Sequence, residues 1–270
     1  MKSINKTILL ILIIFMAGCE EQLNWNLNNQ ESDLIVVDAI ITNEDKNHLI
    51  KLTKPYTTQN LSADPVSGAI VSVLYDNVEI SASEDPVGSG LYYTDNLVAV
   101  TNKVYTLRIL YEGNAFTAAA TQPPVEPLNE LKYHKSTDGL YTLTFKESGE
   151  DPNYVEYYID WQSTGSCSAD DSCKVKLIYY DLKNVDIHEQ FKPKQEVVEF
   201  PVGSIIIRRK YSVSENYKTY LRGILSESYW RGGIFDVVPS NAPTNLSEGA
   251  TGYFAVSTVL SDTTIVTEIP

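Results

Sequence analysis

Residues 34–41, LIVVDAII, are the stretch that decides the fold, because this largely apolar run is rich in β-branched residues. Such a run favours a strand, and segments of the same kind recur at short intervals up to Thr121. Turn-forming residues separate them, among them Asp76-Asn77 and Glu112-Gly113-Asn114. Short strands with this spacing predict an antiparallel β-sandwich over residues 34–122. The predicted strands are 34–41, 48–53, 69–75, 78–83, 91–94, 104–111 and 115–121.

A proline-rich segment follows this predicted sandwich. Residues 122–127 read QPPVEP, which is typical of a stiff, extended linker, so we predict a domain boundary here. Beyond it the strand pattern resumes and predicts a second β-rich domain over residues 127–270. Its predicted strands are 128–134, 140–145, 154–161, 175–181, 197–200, 204–211 and 252–260. The predicted fold class is therefore mainly β, with two antiparallel, sandwich-like domains.

One segment of the second domain has helical periodicity. Ser214 is suited to cap its start, and Gly232-Gly233 to stop it, so we predict a single helix near residues 215–229. Its apolar stripe should cover an open face or edge of the second domain, with the 239–245 loop on the surface as a candidate partner contact. The positions at helical spacing are Tyr217, Tyr220, Leu221, Ile224 and Leu225, and the first four of them should share the stripe.

Upstream of residue 34 the sequence predicts an export signal. Lys2 and Lys6 precede an apolar run over residues 8–17, which at about 1.5 Å per residue covers only about half of a bilayer core. This length favours a cleaved signal peptide, residues 1–18, over a membrane-spanning helix. Residues 19–33 are mostly polar and rich in asparagine, which predicts a flexible tether.

Met16-Ala17-Gly18-Cys19 resembles a bacterial lipobox, in which the cysteine is diacylated and becomes the new N-terminus. We therefore predict lipidation of Cys19, with chains such as palmitate, and anchoring of the protein in the membrane. An ordinary secretory signal with a chance cysteine is the alternative. Glu20 and Glu21 resemble the acidic signal of Bacteroidetes lipoproteins, which implies the outer membrane and, as a further expectation, the cell surface.

Two cysteines remain once Cys19 is acylated, Cys167 and Cys173. An even pair in an oxidising compartment predicts a disulfide, which would close a small loop. Half of a metal site is the alternative, but no histidine or third cysteine lies nearby in the sequence to complete it.

Tyrosine is over-represented, with 18 Tyr against 7 Phe. Three tyrosine pairs, Tyr92-Tyr93, Tyr157-Tyr158 and Tyr179-Tyr180, lie in predicted strands. Because neighbours in a strand point to opposite faces, one ring of each pair should face outward. The outward rings fit either an aromatic ligand platform or, more simply, the sheet propensity of tyrosine.

Several short motifs, taken in their order along the chain, resemble two known families. The motifs at residues 65–73, 90–93 and 104–109 resemble the seven-stranded, transthyretin-like sandwich of carboxypeptidase regulatory-like modules. Those at residues 212–221, 243–246 and 252–255 resemble the C-terminal signature of the Bacteroidetes lipoproteins called domain of unknown function 4249. This second resemblance implies an outer-membrane lipoprotein that sits beside TonB-dependent transporters, and it supplies no activity, substrate or site residues.

Enzyme motifs are missing from the sequence. His48, His134 and His188 lie far apart, none has a metal-ligand spacing, and no Gly-x-Ser-x-Gly elbow occurs. The acidic clusters at residues 147–151 and 170–171 do not match a calcium loop. We therefore expect no metal, no cofactor and no enzymatic activity.

The formal net charge of −14 argues against binding to nucleic acid and against adsorption on an anionic leaflet. We expect a non-enzymatic lipoprotein that assists a TonB-dependent transporter by capturing or gating a ligand. A structural or adhesive module of the cell envelope is the alternative. A glycan-active enzyme with two carboxylates from distant parts of the chain is the third hypothesis.

Overall fold

The computed structural model describes residues 34–56, 62–136, 138–145, 151–167, 173–182, 197–228 and 242–268. These ranges are mainly β, as predicted, with fourteen strands and one helix, α1 (Glu215–Ser228). The predicted signal peptide, Cys19 and the tether lie outside them. The strands are β1 (Ile35–Thr42), β2 (Leu49–Thr53), β3 (Ile70–Tyr75), β4 (Val78–Glu84), β5 (Leu91–Thr94), β6 (Val104–Tyr111), β7 (Asn114–Thr121), β8 (Tyr133–Lys135), β9 (Tyr141–Leu143), β10 (Asn153–Asp160), β11 (Lys174–Asp181), β12 (Ile205–Ser212), β13 (Ala250–Ser257) and β14 (Val259–Ile265).

Alternating burial explains why the first strands form. In β1 every second residue from Ile35 to Ile41 is buried, and the same alternation recurs in β6. Between β3 and β4, Asp76 and Asn77 both adopt positive φ angles, 45° and 64°. That conformation gives the tight two-residue hairpin turn, which matches the right-handed twist of the two strands.

The first sheet has eight strands in the order β13-β1-β2-β5-β4-β3-β6-β7. All neighbours are antiparallel except β13, which runs parallel to β1 with Ile35 opposite Ala250. The first core contains residues of β1, β2, β3, β5, β6, β7 and β13. The sheet therefore wraps around a single core, as expected of a sandwich-like fold.

Asn245 joins the two edges of this sheet. Its Nδ2 donates to the carbonyls of Ala119 in β7, at 3.1 Å, and Phe254 in β13, at 2.8 Å. Its Oδ1 accepts from the N–H of Phe254 at 3.1 Å. The neighbouring Leu246 forms a β-bridge with Ala118. The segment predicted as a surface partner contact therefore has a structural role at Asn245, where an amide side chain takes the place of a strand.

Gly252 makes the parallel contact between β13 and β1 possible. Its φ angle is +92°, and a Cβ placed on it would lie 2.1 Å from the carbonyl oxygen of Val37. Only glycine combines that backbone conformation with such a close approach.

The second sheet has four antiparallel strands in the order β11-β10-β12-β14. One of its faces packs against the β8–β9 hairpin and Phe200, and these form a separate core. Thr258 alone separates β13, in the first sheet, from β14, in the second. The two sheets are thus joined through one continuous length of chain.

This junction differs from the predicted division at residues 122–127. Residues 33–270 form one compact unit, and β13 belongs to the sheet of the first half. Gln122 is fully buried, and the carbonyl of Pro123 accepts hydrogen bonds from the hydroxyls of Ser212 and Thr258. The predicted linker is therefore packed into the fold, because its backbone satisfies polar groups at the junction.

Three predicted strands differ from those observed. The 252–260 strand is broken at Thr258 and contributes to two sheets. Of the 128–134 strand only the end is paired, in β8, and of the 197–200 strand only Phe200 is paired, by a bridge to Tyr141.

The helix prediction is confirmed for α1. The hydroxyl of Ser214 accepts from the N–H of Tyr217 at 3.3 Å, which is an N-cap contact. Tyr217, Leu221 and Leu225 are buried, whereas Ile224 is 40% exposed, so the prediction that Ile224 lies in the buried stripe is wrong. The buried positions follow one i, i+4 row, which leaves Ile224 on the flank. Gly232-Gly233 lie outside the described residues.

Candidate functional site

The face of the second sheet that points away from its core is the candidate site, and we call it the open face. Directly paired residues share a face, so the strand registers define it. Four isoleucines on it, Ile178, Ile205, Ile207 and Ile265, are exposed by 36% to 60%. Residues of the open face are Glu156, Tyr158, Asp160, Lys174, Lys176, Ile178, Ile205, Ile207, Arg209, Ser261, Thr263 and Ile265.

Glu156 is the best-connected polar residue of the open face. It is only 9% exposed and forms a 2.6 Å ion pair with Lys176. It also accepts hydrogen bonds from the hydroxyls of Tyr158, at 3.0 Å, and Tyr211, at 3.1 Å. Burial lowers the pKa of Lys176, but its bonds to Glu156 and Tyr158 outweigh this, so the net shift is upward. Lys176 therefore stays charged at neutral pH.

Arg209 links the open face to the first sheet. Its Nη2 contacts both carboxylate oxygens of Glu44, which follows β1, at 2.5 and 2.6 Å. Glu44 is held in turn by Lys46 and by the hydroxyl of Thr42. Burial raises the pKa of Glu44. The hydrogen bonds from Lys46 and Thr42 and the charge of Arg209 lower it by more, so the net shift is downward. The carboxylate therefore stays ionised well into the acidic range.

Tyrosine rings close one end of the open face beneath α1. Tyr154 stacks on Tyr211 with ring centroids 4.5 Å apart, and Tyr217 stacks on Tyr253 at 5.0 Å. Burial raises the pKa of Tyr154 and of Tyr217, so neither phenol ionises at neutral pH. These rings form a core between the helix and both sheets. Most of this tyrosine cluster is thus structural rather than a ligand platform.

In two of the three tyrosine pairs, the neighbouring rings point to opposite faces of the sheet, as predicted. Tyr92 and Tyr157 are buried, and their partners Tyr93 and Tyr158 are half-buried on the opposite side. In the third pair, Tyr179 and Tyr180, both rings are half-buried because each packs against a core. Tyr158 is the ring that reaches the middle of the open face, with Lys176 5.1 Å above its centroid.

Cys167 and Cys173 form the predicted disulfide, with Cα atoms 6.0 Å apart. The bridge lies at the end of the β10–β11 hairpin, where the N–H of Trp161 donates to the carbonyl of Cys173. This is the end that carries Asp160 and Lys174, which pair at 3.1 Å. The disulfide therefore fixes one edge of the open face, and the alternative of a half metal site is not needed to explain the two cysteines.

The histidines do not converge. His48 is buried, and its Nε2 lies 2.8 Å from the carbonyl of Leu97. His134 is exposed on β8, and its ring contacts the hydroxyls of Thr142 and Thr144. His188 lies outside the described residues, as do most of the two acidic clusters. Among the residues that the structure describes, no group of three His, Cys, Asp or Glu could hold a metal ion.

The sequence predictions missed Glu156, Lys176 and Arg209. A signal was available in β12, where three basic residues in a row, Arg208 to Lys210, must alternate between the two faces. Arg208 and Lys210 point inward and are almost fully buried, with Arg208 held by Asp262. Arg209 must then face outward. The acidic residues that Arg209 contacts are determined by strand pairing, which cannot be derived from the sequence pattern.

No helix in the described part of the chain is long and apolar enough to cross a membrane. A comparison with curated proteins finds no match to the chain. The family model described as domain of unknown function (DUF4249) matches residues 20–263. This match covers the first sheet, the helix and the second sheet as far as Thr263, so the chain belongs to the DUF4249 family.

Proposed function

We propose that this protein is an outer-membrane lipoprotein, anchored through Cys19, that acts without catalysis as an accessory or ligand-capturing partner of a TonB-dependent transporter. The observation that carries the proposal is the open face, where four exposed isoleucines lie on the same side of the sheet as Tyr158. Exposed apolar groups clustered on one face are typical of protein-binding surfaces.

The ion pairs of the open face support a binding role. Lys176, Arg209 and Lys174 each have an acidic partner, so their side chains are already ordered before a ligand arrives. An ordered surface loses less side-chain entropy on association than a mobile one does. The charges would then select a complementary partner, and the isoleucines would supply the apolar contact.

A glycan-active enzyme is less well supported. Such an enzyme needs a general acid whose pKa is raised. On the open face Asp160 has a lowered pKa, because the N–H of Gln162 and the side chain of Lys174 stabilise its charge. Glu156 is engaged by a lysine and two tyrosines. A structural or adhesive envelope module remains the alternative, since it would use the same surface.

The anchor is tested by replacing the lipidation residue. Cys19→Ala should leave the protein soluble or with its signal uncleaved, whereas the matched control Cys167→Ser should fractionate with the outer membrane as the wild type does. The measurement is immunoblotting of separated membranes. Wild-type recovery of Cys19→Ala in the outer membrane would overturn the lipoprotein proposal.

The proposed transporter partner is tested by introducing one charged residue on the open face. We expect Ile207→Asp to reduce recovery of the transporter after mild-detergent co-purification, by up to about 30-fold if Ile207 is a hot spot worth about 2 kcal/mol. Val104→Asp is the control, because Val104 is 57% exposed on the first sheet. Recovery of another envelope protein in place of the transporter would favour the adhesive module. Equal transporter recovery from both variants would remove the open face from the proposal.

A further inference from the structure

The second sheet has two edge strands, β11 and β14, and β14 is the edge considered below. The carbonyl of Thr258 accepts from Ser212, and the N–H of Val266 donates to Ser204, so both of these residues face β12. The register continues without a break between them. Because backbone groups alternate along an antiparallel strand, the odd-numbered residues of β14 direct their N–H and C=O groups away from the sheet.

Side chains cap this edge at both ends. Asn43 accepts from the N–H of Val259 at 2.7 Å and donates to its carbonyl at 3.3 Å. At the other end, the hydroxyl of Tyr133 accepts from the N–H of Thr267 at 3.1 Å. These two side chains stand where the backbone of a further strand would be, so they limit the part of the edge that is open.

Three residues between the caps direct their backbone N–H and C=O groups outward, Ser261, Thr263 and Ile265. All three are exposed, and none of their outward N–H and C=O groups has a hydrogen-bond partner among the described residues. A row of open backbone groups on an exposed edge strand is a template for pairing with another strand. The caps at Val259 and Thr267 lie at equal distances on either side of Thr263.

We propose that β14 pairs with β14 of a second copy of this chain, antiparallel, about a two-fold axis at Thr263. In that register Thr263 meets Thr263 of the partner subunit, and Ser261 meets Ile265 of the partner subunit. Each of these pairs exchanges both backbone hydrogen bonds, which satisfies every open group between the caps. The contact is self-complementary, as a two-fold interface must be.

The side chains at the edge favour a second copy over an unrelated strand. Threonine opposite threonine is a favourable cross-strand pair. Asp262, which is held by Arg208, would lie opposite Thr264 of the partner subunit, so no like charges meet along the open stretch. Both copies stop pairing at the same place, because Val259 and Thr267 of each are already capped. The pairing joins two four-stranded sheets and makes their open faces continuous, and it does not depend on the proposed function.

Cysteine cross-linking of the full chain in intact cells tests the axis. Residues that face each other in a hydrogen-bonded pair have Cα atoms about 5.5 Å apart, which a disulfide can bridge. Thr263→Cys should therefore give a species of twice the mass on a non-reducing gel. Ser261→Cys is the matched control, because the two copies of residue 261 would be offset by four residues, about 14 Å along the strand.

A second measurement is sedimentation of the purified full chain in mild detergent. The wild type and Thr263→Val should be dimers, and Thr263→Pro should be a monomer, since proline removes an outward N–H without breaking a bond to β12. A monomeric wild type together with uncross-linked Thr263→Cys would overturn the proposal. So would equal cross-linking of both cysteine variants, or an adduct between Thr263→Cys and a different protein.

Discussion

Replacement of Asn245 tests how the first sheet is closed. Asn245→Ala removes three hydrogen bonds, with lengths of 2.8 to 3.1 Å, that join β7 to β13. It leaves the carbonyls of Ala119 and Phe254 and the N–H of Phe254 without these partners. At about 1 kcal/mol for each bond, the free energy of unfolding should fall by about 3 kcal/mol. For a chain of this size that corresponds to a fall in melting temperature of about 6–12 °C.

The assay for Asn245 is denaturation followed by circular dichroism, combined with amide hydrogen exchange. Asn245→Asp should be similarly destabilising, because it keeps one acceptor but loses both donors and brings a charge next to two carbonyls. Asn114→Ala is the control, since Asn114 is an exposed residue at the start of β7. We expect faster exchange at Phe254 in the two Asn245 variants alone. A loss of less than about 1 kcal/mol, with unchanged exchange at Phe254, would refute closure by this side chain.

Three further predictions concern the helix, the disulfide and a buried histidine. Leu221→Asp should lower the free energy of unfolding by about 3 kcal/mol or more, whereas Ile224→Asp at the exposed position should lower it little. Similar melting curves for both variants would contradict the packing of α1. Cys167→Ser opens a short loop and should lower stability by about 2 kcal/mol without preventing folding; detection of two free thiols in the wild type would count against the bridge with Cys173. Burial holds the pKa of His48 below its ordinary value of 6.5, so the unfolded chain binds more protons and stability should decline as pH falls below 6.5. His48→Gln should weaken that decline between about pH 7 and pH 5, as measured by urea denaturation at each pH, and an unchanged slope would exclude His48 as its source.

Local pattern was enough to predict much of the secondary structure. The predicted strands 91–94 and 104–111 coincide with β5 and β6, because alternating burial and flanking turns both mark them. The helix was found from its spacing and from the cap at Ser214. The pairing of Cys167 with Cys173 followed from parity and proximity alone.

Long-range pairing was not predictable in this way. The pattern from residue 252 onward shows strand propensity but carries no information on which strand lies next to it, so the break at Thr258 was missed. The open face depends on the same information, because Glu156 meets Lys176 and Arg209 only through the registers of β10 with β11 and β12. The caps on β14 likewise come from Asn43 and Tyr133, which are distant in sequence.

The parallel pairing of β1 with β13 has a consequence for biosynthesis. Ile35 of β1 pairs with Ala250, which the ribosome adds about 215 residues later. At ordinary rates of synthesis this delay is about 10–40 s. Throughout that interval β1, one of the most apolar strands, has an unfilled side, and the nascent chain must avoid pairing it with the wrong partner. The first sheet is therefore completed by a segment close to the C-terminus. A chain that ends before Gly252 should be an aggregation-prone fragment rather than a smaller stable domain.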